Sequence, residues 1–357
     1  MTCKVFLALF IVFIPFLFFP SSIFAGDVVL ENTLTLYGDV EGFNGPYRQS
    51  LTLLGQEFES FFEISKGNHT LFEAGFFADG QEQQNIQFNV NPVLSFKYYT
   101  DTTKLILGTL ENENRHGYLE PLEDPLLEFT RPIEYGFQWK ERADGFQSDW
   151  FLDWQDINIV NQPEIFDYGG VTRADVDEHF DLEIQFHAHH EGGRIFFVHV
   201  INNYVPAVGF RLHGSLPVLG ESSLAVFGVL SCDFEGQYIT GPDWGNGFYA
   251  RAGVTPWGLF ELYGIMWNAQ NFFSQEGDPN YSSQGLDPNY YQANRMYEEL
   301  GFKKEITGDK DFLFDAEIKS EWADAAWALS GKMVATVPFN LNIPIQEKKK
   351  DGVENAN

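Results

Sequence analysis

Residues 180 to 189, Phe-Asp-Leu-Glu-Ile-Gln-Phe-His-Ala-His, alternate between apolar and polar without a break. In an extended strand this places Phe180, Leu182, Ile184, Phe186 and Ala188 on one face, and Asp181, Glu183, Gln185, His187 and His189 on the other. Ile133 to Lys140 repeats the rule, with Ile133, Tyr135, Phe137 and Trp139 opposing Glu134, Gly136, Gln138 and Lys140. Phe146 to Gln155 does so again, with Trp150, Leu152 and Trp154 against Gln147, Asp149, Asp153 and Gln155. Strands of about ten residues, oily on one side and wet on the other, are what a transmembrane β-barrel requires.

Read this way, the chain predicts strands near 33–41, 56–64, 70–78, 85–99, 104–110, 133–141, 146–155, 165–173, 180–189 and 194–201. Further strands are predicted near 207–215, 223–233, 247–255, 258–267, 295–305, 311–321 and 327–340, and helical periodicity is nowhere sustained. A closed antiparallel barrel normally has an even strand number, so one segment is excess, and the zone 194–233 is where the pattern is weakest. The expected fold is an all-β, up-and-down transmembrane barrel of about sixteen strands, within bounds of about fourteen and eighteen.

Short connections carry turn chemistry: Lys66-Gly67-Asn68-His69, Thr100-Asp101-Thr102, Ala143-Asp144-Gly145, Thr255-Pro256-Trp257 and Thr307-Gly308-Asp309-Lys310. They are expected at the periplasmic end. Between them lie longer connections, 111–132, 156–164, 234–246 and 268–293, rich in Asp, Glu, Asn, Gly and Pro and expected on the outer face. The segment 330–339 is read as a closing strand without the usual terminal aromatic, and the charged tail 346–357 as disordered.

The amino terminus sharpens the compartment. Lys4, an uncharged apolar run from Val5 to Phe19, and small residues ending at Ala25 fit a cleaved secretory signal, leaving 26–345 for the barrel. No later apolar run reaches the roughly eighteen residues of a membrane helix. Of the 2 cysteines, Cys3 would leave with the signal, so Cys232 would have no intramolecular disulfide partner. The formal charge of −29 argues against nucleic acid as a partner, because phosphate binding needs clustered Lys and Arg. An aromatic content of 17%, with 36 Phe, exceeds ordinary soluble usage and suits a lipid-facing band with interfacial girdles.

Candidate chemistry follows from the polar strand faces. Glu134, Gln138, Lys140, Asp149, Asp153, Asp181, Glu183, Gln185, His187, His189 and Arg251 are expected to line the lumen. The acids could form a ladder opposite Lys97, Lys140 and Arg251, giving a transverse field, or be dispersed and mutually compensating; the pattern leaves both open. His187 and His189, two apart on one strand face, are candidate metal ligands, against the plain alternative of water-tolerant lumen residues. His116, Glu120 and Asp124, with Glu113 and Glu123, mark the loop 111–132 as a candidate constriction, or a cap outside the barrel. Asp-Pro-Asn-Tyr occurs twice, at 278–281 and 287–290, and reads as turn punctuation.

The stretches Gly108-Thr109-Leu110-Glu111-Asn112, Arg115 to Pro125, Pro132 to Gln138 and His187 to Arg194 resemble a poorly characterised family of Gram-negative, porin-like outer-membrane barrels. The resemblance implies an outer-membrane location and a channel of unassigned substrate, and carries no catalytic residues. The expected function is passive diffusion of small hydrophilic solutes, with net acidity favouring cations. Expected partners are outer-membrane lipid, small hydrophilic solutes and the barrel assembly machinery; monomer and homo-oligomer both stay open. No nucleophile motif, phosphate loop, dinucleotide fingerprint or zinc-protease motif is present, so the chain is expected not to be an enzyme and to need no cofactor. The rivals are a secreted soluble β-sandwich, carbohydrate-binding or glycosidase-like, and an outer-membrane barrel with an enzymatic or adhesive role.

Overall fold

The computed structural model describes residues 28–43, 45–82, 87–160, 162–193, 200–234, 244–287, 289–308, 312–324 and 326–343. The strands are β1 (Val28–Glu41), β2 (Leu51–Lys66), β3 (Thr70–Gln81), β4 (Gln87–Tyr99), β5 (Thr103–Thr109), β6 (Tyr135–Ala143), β7 (Phe146–Asp156) and β8 (Glu164–Asp177). They continue with β9 (Phe180–Gly192), β10 (Ile201–Leu216), β11 (Gly220–Phe234), β12 (Trp244–Thr255), β13 (Glu261–Gln270), β14 (Asn294–Gly308), β15 (Phe312–Ala323) and β16 (Ala326–Pro338). A short β17 (Leu341–Ile343) follows.

Each strand pairs antiparallel with its neighbour in sequence. The ring closes where β1 pairs with β16, from Thr33 opposite Pro338 to Val40 opposite Gly331, while β17 runs on along Val28 to Leu30. The result is a closed sixteen-strand barrel with no open edge to template aggregation. That topology removes the sandwich alternative. The signal segment and the tail 346–357 lie outside the described residues, as does most of the expected strand 194–201; only Ile201 belongs to a described strand, as the first residue of β10.

The inside-out logic is visible strand by strand. On β9, Asp181, Glu183, Gln185, His187 and His189 are buried while Leu182 and Ile184 are 50% and 55% exposed. Across the seam Ile184 faces Val208, itself 61% exposed, so the outward face is an apolar ladder that only a bilayer would cover. A one-residue slip would turn that ladder inward, which is why the alternation specifies the register. Tight turns sit at the end that carries the start of β1 and the end of β16; in the Ala143-Asp144-Gly145 turn, Gly145 takes φ +70°, a conformation that costs glycine little. No helix among the described residues is long and apolar enough to cross a membrane.

The barrel is not hollow. The connections 110–134 and 271–293 turn inward and pack on the inner faces of β10 to β14. Leu119, Leu122, Phe272 and Tyr281 meet Val205, Phe227, Tyr249, Trp267 and Tyr297, all buried. The Trp267 indole donates to the Tyr281 carbonyl at 3.0 Å and meets Phe272 edge-on. This differs from the expectation of outer-face loops for 268–293. Polar-in alternation also fails on β10 to β13, because those inner faces are covered by loop side chains rather than by water.

Arginines pin both loops. Arg48 reaches Glu41 at 3.7 Å, Asp124 at 2.6 Å and Asp278 at 3.0 Å, tying three loop-end connections together. Arg295 lies 3.2 Å over the Tyr47 ring, donates to the carbonyls of Asn280 and Ser282, and pairs with Asp324 at 2.9 Å. Asp278 caps the first Asp-Pro-Asn-Tyr turn by accepting from the Asn280 amide at 2.8 Å, and the second turn uses Asp287 and Asn289 in the same way at 2.9 Å. Both repeats are turn punctuation, but the first is buried at the centre of the loop plug.

Candidate functional site

Within the inward loop, Asn114, Arg115 and His116 carry φ of 48°, 48° and 56°, followed by Gly117 at 82°. Three successive non-glycine residues in the left-handed region cost on the order of 1–2 kcal/mol each, so something must hold them there. His116 supplies one clamp. Its ring nitrogens lie 2.8 Å from Glu134 and 3.2 Å from Asp149, and its ring stacks on Phe151 at 3.9 Å between centroids. Arg115 adds ion pairs to Glu134, at 2.6 Å, and to Glu123. Tyr118 donates to the Phe186 carbonyl at 2.8 Å, over Gly169, where any side chain would collide with the phenol.

Burial opposes a charge on His116, but Glu134 and Asp149 outweigh it and push the imidazole up to about 9. At neutral pH it is an imidazolium locked between carboxylates, a structural cation rather than a base. Glu111 is the reverse case. Burial would raise it, yet Lys97 at 2.7 Å, Lys104 at 2.8 Å and Lys140 at 3.2 Å hold it down at about 2.

The remaining inner faces carry the same interleaving. Glu183 is embraced by Arg173 at 2.7 Å and Arg211 at 2.6 Å, and Gln185 donates to it at 2.6 Å and accepts from the Leu119 amide at 3.0 Å. Asp153 accepts from the Tyr135 amide at 2.8 Å, and Gln138 donates to Asp149 and to the Glu111 carbonyl, each at 2.8 Å. Arg251 stacks 4.4 Å over Tyr263 and pairs with Glu261 at 2.9 Å; Asp181 lies 3.6 Å from the half-exposed His213. Glu120 accepts from the Tyr249 hydroxyl at 2.8 Å, and Asp124 is held by Arg48. Lys97 stands beside Glu73 at 2.6 Å. Lys97 and Lys140 thus sit among the acids rather than opposite them, and the arrangement is mutual compensation, not a segregated transverse ladder.

His187 and His189 face the same interior but have different surroundings. His189 Nδ1 lies 2.7 Å from Asp167 and 3.3 Å from Glu276 of the second inward loop. Arg131 joins them, 2.9 Å from Asp167 and 3.1 Å from Glu276. His187 is 1% exposed, meets Tyr118 edge-on, and neither ring nitrogen has a hydrogen-bond partner among the described residues.

On the outward face a third histidine, His190, stands near the loop end of β9. Its Nδ1 lies 2.8 Å from Asn202 Oδ1 and its ring stacks on Phe166 at 4.6 Å. Phe166 continues into Trp154 and Tyr168, and from Phe186 through Tyr204 and Phe234 to Trp244 the aromatics run on around the rim. Sequence reasoning missed Arg48, Arg115, Arg131, Asp167, Glu276 and the outward pairing of His190. Asp167 was legible in principle, since it shares the inward face of β8 with Gly169 and Val171; the arginines and Glu276 belong to loops, where no period applies.

Inside the barrel, a cavity of about 440 Å³ remains between the inner faces of β2 to β5 and the loop 110–134, lined by Glu57, Glu59, Glu73, Lys97, Glu111 and Arg115 among others. A smaller one of about 80 Å³ lies around Arg48, Asp278, Glu299 and Lys319.

Among solved structures the chain is similar to a loop-deletion mutant of OmpT, an outer membrane protein of Vibrio cholerae, at 9% identity and TM-score 0.56, covering 88% of this chain and 100% of that one. The outer membrane protein opdK of Pseudomonas aeruginosa follows at 7% identity and TM-score 0.47, covering 88% and 99%. Among curated proteins, the translation initiation factor eIF2 assembly protein of Kluyveromyces lactis is 24% identical over 147 residues. That match spans 36% of this chain and only 40% of the yeast protein. The family model that matches residues 30–344 is described as Lipid A 3'-O-deacylase-type. An enzyme family overturns the expectation of a non-enzyme, which rested on missing linear motifs; on a barrel, groups far apart in sequence converge through strand register and need no such motif. The match runs from β1 past β16, and this outer-membrane barrel belongs to the Lipid A 3'-O-deacylase-type family.

Proposed function

We propose that the protein hydrolyses an acyl ester of an outer-leaflet lipid, using the filled barrel as a rigid scaffold and its outward rim as the reactive surface. The ester bonds of such a lipid lie at the boundary between headgroup and hydrocarbon, so the hydrolytic group must face outward there. The observation that carries this reading is His190. A donor on Nδ1 bonded to Asn202 Oδ1 fixes the tautomer and leaves Nε2 with a lone pair, beside an aromatic strip suited to the bilayer interface. Nε2 takes a proton from water as the water oxygen attacks the acyl carbonyl; the carbon–oxygen ester bond then breaks, and the proton passes to the departing alkoxide, releasing a fatty acid. The family description and the plugged lumen support the same reading.

The test is mass spectrometry of lipid A in vesicles incubated with the folded chain. Loss of one fatty acyl chain is expected, with His190→Ala slowing release about 10²- to 10⁴-fold. An active wild type with an equally active His190→Ala would move the chemistry elsewhere; an inactive wild type would sink the proposal.

A second reading is favoured by the larger cavity. Glu57, Glu59, Glu73 and Glu111 against Lys97 and Arg115 give it an acidic balance, consistent with a narrow path for small cationic solutes. Planar-bilayer recordings across a salt gradient decide it: stable steps with cation-selective reversal potentials support the path, while anion selectivity or silence removes it.

A further inference from the structure

We propose that Asp167, His189 and Glu276, completed by His187, form a divalent transition-metal site inside the barrel, for which Arg131 is the resident competitor. The ligand atoms of Asp167, His189 and Glu276 all lie within 4.8 Å of one another. His189 Nδ1 points at both carboxylates, at 2.7 Å and 3.3 Å, so the three donors surround one point rather than forming a chain. A metal bound at about 2.0–2.2 Å by nitrogen and oxygen ligands in tetrahedral geometry holds its donors about 3.3–3.6 Å apart, so the wider pairs here would close and the 2.7 Å pair would open, changes that side-chain rotation can supply.

The independent observation is His187. It stands two residues before His189 on the same inward face, 99% buried, with neither nitrogen hydrogen-bonded among the described residues. A buried imidazole left in that state costs on the order of 1–3 kcal/mol, and nothing in ordinary lumen packing asks for it. In strand register His187 lies opposite Gly169 and His189 opposite Asp167, so His187 is diagonal to Asp167, with the Tyr118 phenol occupying the space over the glycine. Two imidazoles and two carboxylates make an N2O2 donor set, which suits zinc or a neighbouring first-row ion and not calcium or magnesium.

Charge explains Arg131. Two buried carboxylates need a counter-cation, and the guanidinium meets both, at 2.9 Å and 3.1 Å. With His189 as a neutral ligand, the single positive charge of the guanidinium leaves the two carboxylates one negative charge in excess; a divalent ion in its place balances them. Arg131 ends the inward loop just before β6, and Glu276 belongs to the other inward loop, so ion binding would exchange one fastening of the two loops to β8 for another. This holds whichever surface performs catalysis, since the site is interior and His190 points outward.

The experiment is Co²⁺ titration of the folded full chain in detergent micelles, followed by visible d–d absorption and displacement with Zn²⁺, with heat-modifiable gel migration confirming folding of every variant. One equivalent is expected for wild type, lost in His189→Ala and in Glu276→Gln and retained in His190→Ala. Arg131→Met is expected to bind at least about tenfold more tightly, because it removes the competitor. Glu276 is on a loop and not in the barrel wall, so its variant keeps the test open if a strand variant fails to fold. Absence of stoichiometric uptake by wild type and Arg131→Met alike would overturn the site, as would uptake indifferent to His189→Ala and Glu276→Gln.

Discussion

The inner faces of β6 to β9 and of β10 to β13 are built from opposite materials. The first presents Gln138, Asp149, Asp153, Asp167, Glu183, Gln185, His187 and His189, nearly all with fixed partners. The second presents Val205, Ala207, Phe227, Tyr249, Ile265 and Trp267. Both are buried, and the same two loops cover both. The difference shows that a barrel interior need not be an aqueous face: where a loop brings Leu119 and Leu122 the wall turns apolar, and where it brings Arg115, His116 and Arg131 the wall turns acidic. Each wall is complementary to the part of the plug it receives.

The sharpest way to break the comparison is to remove a keystone from each wall. Trp267→Ala on the apolar wall takes away the largest fully buried side chain and its bond to Tyr281, and should destabilise the barrel by about 3–5 kcal/mol, read as the denaturant midpoint of the gel-shifted folded form. A loss under about 1 kcal/mol would mean that the loops do not pack there. On the charged wall, Glu134→Gln leaves Arg115 and His116 with one carboxylate fewer and should cost about 3 kcal/mol, because a buried cation loses its partner. Replacing the whole cluster, Glu134→Met with His116→Leu, Arg115→Met and Glu123→Met together, should recover much of that loss, because Glu123 is then not left buried without Arg115. If the quadruple variant is worse than the single one, the charges stabilise beyond pairing.

This contrast also accounts for what could be read in the sequence. β9 is unmistakable because its two faces contact opposite media. The β10 stretch Val205-Pro206-Ala207-Val208-Gly209-Phe210 is apolar on both faces, since lipid lies on one side and Phe227, Leu119 and Leu122 lie toward the other, so the period of two disappears. That is why the expected strand 207–215 begins six residues late. The fold survived such errors because sixteen independent segments carried the signal. For the site, the strand-borne acids and histidines were legible from alternation, whereas Arg48, Arg131 and Glu276 reach their partners across connections whose path no local pattern encodes. His190 was hidden differently: it sits on the apolar face, in phase with Phe186 and Ala188, where alternation argues only for lipid.

The charged wall alone should respond to pH. The folded His116 is held at about 9, above its ordinary value of about 6.5, so its contribution to stability is complete below about pH 6.5, declines between the two values, and is gone above about 9. Unfolding midpoints measured from pH 6 to 10 should therefore fall on the alkaline side. His116→Gln should flatten that decline, and Trp267→Ala should leave its slope intact while lowering the whole curve. An unchanged slope in His116→Gln would assign the pH response to another group.

The smallest effect tests where the charged wall ends. Asp181 and His213 lie 3.6 Å apart near the tight turns, with the His213 side chain 48% exposed. Water and salt screen such a pair, so Asp181→Asn should change stability by no more than about 0.5–1 kcal/mol, and less at high ionic strength. Glu134 and Asp181 carry the same charge on one side of the barrel, one enclosed by the plug and the other beyond it. If Asp181→Asn proved as costly as Glu134→Gln, the energetic weight of the wall would follow the strands themselves; a small, salt-sensitive loss would assign it to the loops that seal them.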